Sequence, residues 1–225
     1  MKLELRDISL QYPDKPPLFE GVNLTLESGG FLIVDGVSGS GKSSLLRLLN
    51  RLQEPTSGQI LVDDRPMVDQ EVTQLRRRIG YAQQTPLVTD GTVEENLRLP
   101  YLFRVNRALS PPGREDLRER LDAFALTQVS LDDDAGDLSV GQKQRIGLIR
   151  SLSVNPEMLL CDEPTSALDP ESKEIVEDCL EHVNVDRGIS VVLVSHTNFA
   201  PKRVRPMGFV LDGSQDREGG APWTS

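Results

Sequence analysis

Nothing in this chain of 225 residues approaches the roughly 18 to 20 consecutive apolar residues that cross a bilayer, and mean hydropathy is −0.32. The opening residues, Met1-Lys2-Leu3-Glu4-Leu5-Arg6, lack the apolar centre of a secretory signal. The expectation is a soluble, cytoplasmic chain whose membrane role, if any, comes through a partner. Cysteine is scarce: Cys161 and Cys179 make no metal-ligand spacing and no disulfide framework, so reduced thiols are expected. Positive charge is short too. Lys and Arg total 25 against 35 Asp and Glu, a net charge of −10, which disfavours a nucleic-acid backbone as the main partner. The one compact basic run, Arg76-Arg77-Arg78, reads as a solvated helix end. No internal repeat of roughly 20 to 50 residues is visible, which sets aside solenoids and propellers.

What the chain does have is a phosphate-binding loop. Gly36-Val37-Ser38-Gly39-Ser40-Gly41-Lys42-Ser43 follows the apolar run Phe31-Leu32-Ile33-Val34 and opens a helix-like stretch from Ser43 to Leu52. Strand, glycine-rich loop and helix are the context this pattern requires. Glycines let the backbone close round an anion, so that amides and the helix N-terminus face the phosphates. Lys42 is placed to reach the β- and γ-phosphates, the Ser43 hydroxyl to ligate Mg²⁺, and Ser44 completes the expected ATP contacts.

Along the rest of the chain, residues 2–12 and 22–35 read as strands with a turn over Pro13 to Pro17. Short strands follow at Gln59 to Val62 and Ile79 to Ala82, and a mostly helical stretch runs from 93 to 153, interrupted at Ser110-Pro111-Pro112-Gly113. Apolar runs return at Met158 to Cys161, Ile189 to Val194 and Gly208 to Leu211, with a helix-like segment from Pro170 to Val185 between the first two. Alternating short strands and helices imply a parallel sheet with crossover helices, an α/β fold. The tail from Gly213 is rich in Gly, Pro and Ser and is expected to fray.

A second nucleotide segment, Met158-Leu159-Leu160-Cys161-Asp162-Glu163, delivers two carboxylates at the end of an apolar strand. Asp162 is placed to hold Mg²⁺ and Glu163 to polarise the water that attacks the γ-phosphate. With these in place, Leu138-Ser139-Val140-Gly141-Gln142 followed by Lys143-Gln144-Arg145 resembles the signature of ATP-binding-cassette (ABC) ATPases. The resemblance extends over about residues 3 to 212. It implies a P-loop NTPase with a RecA-like parallel core, an antiparallel β subdomain and an inserted helical subdomain over about 93–153, making one ABC ATPase domain over 1–212 and a flexible tail over 213–225.

It also implies a homodimer that sandwiches two ATP molecules, with Ser139, Gly141, Gln142 and Asp169 contacting nucleotide held by the opposite subunit. Val140 departs from the family's usual glycine; valine disfavours a positive φ and adds bulk, so weaker closure is expected. Tyr12 stands where the family stacks an aromatic on adenine. In Ile79-Gly80-Tyr81-Ala82-Gln83-Gln84 the family's Mg²⁺- or water-touching glutamine falls on Gln84, with Gln83 taking the role if the register slips by one. Ser166-Ala167-Leu168-Asp169 matches the D-loop and Val194-Ser195-His196-Thr197 the switch histidine, His196; His182, the other histidine, is given no catalytic part.

Only about 54 residues separate Gln84 from Leu138, room for a helical lobe but no coiled coil. One cassette and an acidic balance favour the energising subunit of a transporter over a chromosome-maintenance or translation ATPase. The implied partner is an integral-membrane permease, with the chain peripheral on the inner face of the membrane and no nucleic acid bound. Leu97, Leu99, Tyr101, Leu102, Phe103 and Val105 are expected to pack the helical lobe, with one or two exposed to a docking groove. The segments Tyr81 to Pro86, Asp90 to Val93 and Leu97 to Arg107 look like the ATPases of small bacterial two-gene systems regarded as iron exporters; amino-acid or phosphonate uptake and lipid transport are the alternatives.

Overall fold

The computed structural model describes residues 1–166, 168–195, 199 and 201–212. The described residues form two sheets. Strands β1 (Leu3–Gln11), β2 (Pro17–Leu26), β4 (Ser57–Val62) and β5 (Arg65–Pro66) make an antiparallel sheet in the order β2-β1-β4-β5. Strands β3 (Phe31–Asp35), β6 (Ile79–Ala82), β7 (Met158–Asp162), β8 (Ser190–Val194) and β9 (Met207–Val210) make a parallel sheet in the order β6-β7-β8-β3-β9. The helices are α1 (Lys42–Leu49), α2 (Val72–Arg78), α3 (Val93–Arg98), α4 (Arg114–Ala123), α5 (Val140–Leu152) and α6 (Pro170–Arg187).

The two sheets differ in pattern because they differ in what covers them. Every residue of β7 and β8 is buried, as an apolar run in a parallel sheet covered on both faces demands. Met158 and Leu160 face the leucines of α1, whereas Leu159 and Cys161 face α5 and α6. In β1 the buried positions change phase, from Leu3 and Leu5 to Ile8 and Leu10. Asp7, at φ 54°, makes the irregularity that lets both halves present their apolar side chains to one core.

Several boundaries depart from the sequence reading. Residues 22–35 are not one extended unit: a turn after Leu26, closed by the Gly30 amide on the Glu27 carbonyl, sends β2 and β3 into different sheets. Pro17 pairs with Gln11 and so opens β2 rather than closing a turn. Helix α1 stops at Leu49, capped at Asn50 and followed by Arg51 at φ 51°, and α4 stops at Ala123 before Ala125 at φ 52°. The basic run does end a helix, α2, with Arg76 exposed, but two of its members are also tied down. Arg76 donates to the carbonyls of Asn50 and Arg51, and Arg78 grips Glu157 through Nε (2.6 Å) and Nη2 (2.9 Å) while also pairing with Asp63.

Among the described residues three apolar clusters result. The first fills the space between the sheets and encloses α1, whose Leu45, Leu46, Leu48 and Leu49 are each 0% exposed. The second lies on the other face of the parallel sheet, under α5 and α6. The third binds α3, α4 and the outer face of α5 through Val93, Leu97, Leu117, Leu121, Ile146 and Ile149. The 201–204 segment leading into β9 is fastened by one buried carboxylate: Glu181 of α6, 2% exposed, accepts from the amides of Lys202 (2.9 Å), Arg203 and Val204 (3.2 Å).

Candidate active site

Because the strands of the second sheet run parallel, the residues that follow β3, β6, β7 and β8 gather at one edge, where open α/β sheets bind ligands. After β3 the chain turns through Gly36 to Gly41 into α1. Gly36, Gly39 and Gly41 take φ of 148°, 82° and 102°, which a side chain would strain, and a methyl group on Gly41 would lie 2.7 to 2.9 Å from Leu18 and Phe19. Val37, Ser38 and Gly39 are exposed on this loop. Lys42 is 5% exposed and donates from Nζ to the carbonyls of Gly36 (2.8 Å) and Val37 (3.0 Å). Ser40 Oγ is buried with no hydrogen-bond partner.

Asp162 closes β7, 6% exposed, and both of its oxygens are engaged. Ser43 Oγ donates to Oδ1 at 2.9 Å and the Tyr81 hydroxyl donates to Oδ2 at 3.2 Å. Burial, and then the Asp162 charge, push the Tyr81 phenol up to about 12. Glu163 follows at φ 47°, a left-handed conformation that costs a non-glycine residue about 1–2 kcal/mol. Its amide donates to the Val194 carbonyl at 3.0 Å, and its Oε2 accepts from Gln84 Nε2 at 3.1 Å. Strain at such a residue, imposed by the end of β8, marks a position where the carboxylate's placement outweighs local comfort. It is Gln84, not Gln83, that meets Glu163; the Gln83 carbonyl accepts from Gln144 Nε2 of α5 at 3.3 Å.

Tyr12 stands beside the start of α1, its hydroxyl 3.2 Å from Ser44 Oγ and 3.3 Å from Gln53 Oε1. The hydrogen bond to Ser44 is the main cause that holds its pKa below the ordinary phenol value.

Ser139, Gly141, Gln142 and Asp169 are brought to one another, not to the phosphate loop, and among the described residues no hydrogen bond joins the two groups. Ser139 caps α5 in a reciprocal box: its Oγ accepts from the Gln142 amide (3.3 Å) and Gln142 Oε1 accepts from the Ser139 amide (2.8 Å). Asp169 caps α6 on the Ser172 amide at 3.0 Å, a backbone bond that lowers its pKa. The two helix starts pack closely enough that a methyl on Gly141 would lie 3.0 Å from Ser172 Oγ. Val140 is the first residue of α5 and has no positive φ, so the expected backbone penalty does not arise; its side chain is 52% exposed. His196, Ala167 of the D-loop and the tail from Gly213 lie outside the described residues.

Beside this edge runs a groove of about 1240 Å³, lined among others by Leu52, Arg77, Tyr81, Phe103, Arg104 and Arg150. Of the apolar residues expected at the lobe, Leu97 is buried whereas Leu102 (75%) and Phe103 (57%) are exposed. Arg76, Arg77, Arg104 and Arg150 of the groove pair with no carboxylate among the described residues, and Arg77 Nε is buried without a hydrogen-bond partner. The sequence reading missed both the Tyr81–Asp162 bond and this arginine lining. A lone strand tyrosine reads as core, and arginines distant in the chain give no joint signal.

The residues present fit a nucleoside triphosphate and Mg²⁺. The loop offers a buried hydroxyl without a protein partner and an ammonium satisfied only by loop carbonyls. An alcohol and a carboxylate oxygen sit side by side at Ser43 and Asp162, hard donors of the kind Mg²⁺ takes.

The family model for ABC transporters matches residues 19–166. ABC transporter I family member 17 of Arabidopsis thaliana is 38% identical over 87% of this chain and 73% of its own length. A methionine import ATP-binding protein of Caulobacter vibrioides is 37% identical over 97% of this chain and 67% of its own. Among solved structures, the ATP-binding cassette MJ0796, in a dimeric post-hydrolysis state bound to ADP and Pi, superposes with a TM-score of 0.72 at 31% identity, covering 87% of this chain and 88% of that one. The P-loop NTPase architecture, the family model and these relatives agree: this chain belongs to the ABC transporter family and is an ATPase cassette whose cofactors are ATP and Mg²⁺.

Proposed function

We propose that this chain is the ATP-hydrolysing subunit of a transporter and works as a nucleotide-sandwiched homodimer on a separate integral-membrane permease, peripheral to the membrane's inner face. The observation that carries the catalytic reading is the convergence of Lys42, Ser43, Asp162, Glu163 and Gln84 at one sheet edge, with Gln84 bound to Glu163. Lys42 and the loop amides neutralise phosphate charge, and Ser43 with Asp162 holds Mg²⁺. Mg²⁺ held there would supply neutralisation of phosphate charge. Glu163 orients the attacking water and takes its proton, and Gln84 holds the Glu163 carboxylate in place. The role expected of His196 remains part of this reading, as does adenine stacking on Tyr12.

Ser139, Gly141, Gln142 and Asp169 act on the nucleotide of the opposite subunit. Their grouping at two helix N-termini supports this, since amide dipoles there favour an anion. Glu163→Gln is the direct test. ATP binding, followed with a fluorescent analogue, stays intact while steady-state turnover falls to background. Normal turnover in that variant would remove Glu163 from the reaction.

The groove supports the permease. Four arginines without carboxylate partners among the described residues, in a chain of net charge −10, line it together with the exposed Phe103 and Leu52. The permease segment seated there is a short helix with an apolar ridge and carboxylates. Among the described residues no helix is long and apolar enough to cross a membrane, so the permeation path is assigned to the partner. Metal export draws no support from the names of the relatives, several of which are methionine import ATP-binding proteins. Amino-acid uptake is therefore the cargo reading best supported. Identifying by mass spectrometry the membrane protein that copurifies from native membranes in mild detergent tests the partner. Methionine uptake and iron efflux, measured with that pair in vesicles, decide between the cargoes.

A further inference from the structure

We infer that Tyr81 is a positioning residue whose hydroxyl sets the carboxylate of Asp162 and couples it to the occupancy of the arginine-lined groove. This rests on the reading above, in which Asp162 holds Mg²⁺ and the groove receives the permease. Asp162 is nearly buried, so its two oxygens choose between few partners: Oδ1 meets Ser43 Oγ at 2.9 Å and Oδ2 meets the Tyr81 hydroxyl at 3.2 Å. To turn Oδ1 away from Ser43, the carboxylate must give up the Tyr81 bond.

The backbone that carries this phenol is itself held from two sides. Strand β6 pairs Tyr81 with Leu160 of β7, two residues before Asp162, and the Tyr81 carbonyl accepts from Ser151 Oγ of α5 at 3.2 Å. The same residue lines the groove, with Ile79 and Gly80 of its strand and Phe103 opposite in the chain's helical lobe. One side chain therefore touches the metal-binding carboxylate and forms part of the surface on which a partner rests. A segment pressing on the groove moves the phenol, and the phenol moves Asp162 relative to Ser43.

Tyr81→Phe keeps the ring and removes only the hydroxyl. Partners that orient a metal ligand are worth about 10-fold or more in metal affinity, so Mn²⁺ binding in the presence of a non-hydrolysable ATP analogue, read by electron paramagnetic resonance, weakens about 10-fold. Affinity for the analogue in EDTA stays unchanged. Unaltered Mn²⁺ affinity overturns the role of Tyr81. Asp162→Asn is measured alongside; if it too leaves Mn²⁺ binding unaltered, the assignment of Asp162 to the metal has failed instead.

For the coupling, Phe103→Cys labelled with a bulky maleimide fills the groove, and Cys161 and Cys179 are buried and spared. Labelling shifts Mn²⁺ affinity about threefold when Tyr81 is present and not in the Tyr81→Phe background. Equal shifts in both backgrounds, or none in either, overturn the coupling.

Discussion

Gly41→Ala and Gly39→Ala place the same methyl group at two points of the phosphate loop, and the structure separates their costs. Both glycines have positive φ, 82° at Gly39 and 102° at Gly41, so each alanine bears about 1–2 kcal/mol of backbone strain. Both also stiffen the unfolded chain by about 0.4–1 kcal/mol, which offsets part of the strain and cancels between them. At Gly39 nothing lies within 4 Å of the added methyl. At Gly41 it would meet Leu18 Cδ2 at 2.7 Å, Leu18 Cγ at 2.8 Å and Phe19 Cδ1 at 2.9 Å. Leu18 is only half-buried, but Phe19 is 2% exposed and packed in the core between the sheets, so it has little room to yield.

Overpacking of this kind costs about 1–3 kcal/mol. Gly41→Ala should thus fall below Gly39→Ala by that amount, or by roughly 2 to 12 °C in melting temperature at about 2–4 °C per kcal/mol for a chain of this size. Thermal unfolding by circular dichroism without nucleotide measures it. Binding of a fluorescent ATP analogue should be lost more severely in the Gly41 variant, because relief of the clash displaces the first turn of α1. Equal melting temperatures for the two variants would refute the argument, since the core behind the loop would then be yielding freely.

Glu181→Ala strips three backbone amides of their shared acceptor and should cost about 2–4 kcal/mol, measured by urea unfolding, with Glu181→Gln falling between it and the parent. A cost near zero would show that water replaces the carboxylate without loss. The buried thiols set an alkaline limit. Burial pushes Cys179 up to about 11 and Cys161 higher still, against 9.0 for a free thiol. The unfolded chain therefore releases these protons first, and stability fully present below about pH 9 declines as pH rises towards 11. The double variant Cys161→Ala, Cys179→Ala should show a shallower decline over that window, and an identical decline would assign the loss elsewhere.

The parallel sheet and its ligand edge were legible because the buried strands β7 and β8 are unbroken apolar runs and the phosphate loop and the Asp162-Glu163 pair stand at strands' carboxyl ends. What was not legible depended on contacts distant in sequence. The extended reading over 22–35 failed because both parts are β-forming, and only the turn after Leu26 divides them between two sheets. The Arg76–Arg78 run was legible as a helix end but its acceptors were not, because the Asn50 and Arg51 carbonyls and the carboxylates of Glu157 and Asp63 come from other elements. The doubt over Val140 came from assigning the backbone by family habit, whereas Ser139 provides the cap and leaves Val140 an ordinary helical residue. Gln84 and Gln83 could be told apart only once the Glu163 carboxylate was seen to meet one of them.

The enclosure of α1 has a mechanical meaning. The helix that begins with Lys42 and Ser43 is walled by both sheets, four of its leucines wholly out of solvent, so it cannot tilt without opening the largest core in the molecule. Helices α3 and α4, with the outer face of α5, are held by a separate apolar cluster. The helix that carries Lys42 and Ser43 is thus part of the molecule's frame, built into the core that joins its two sheets.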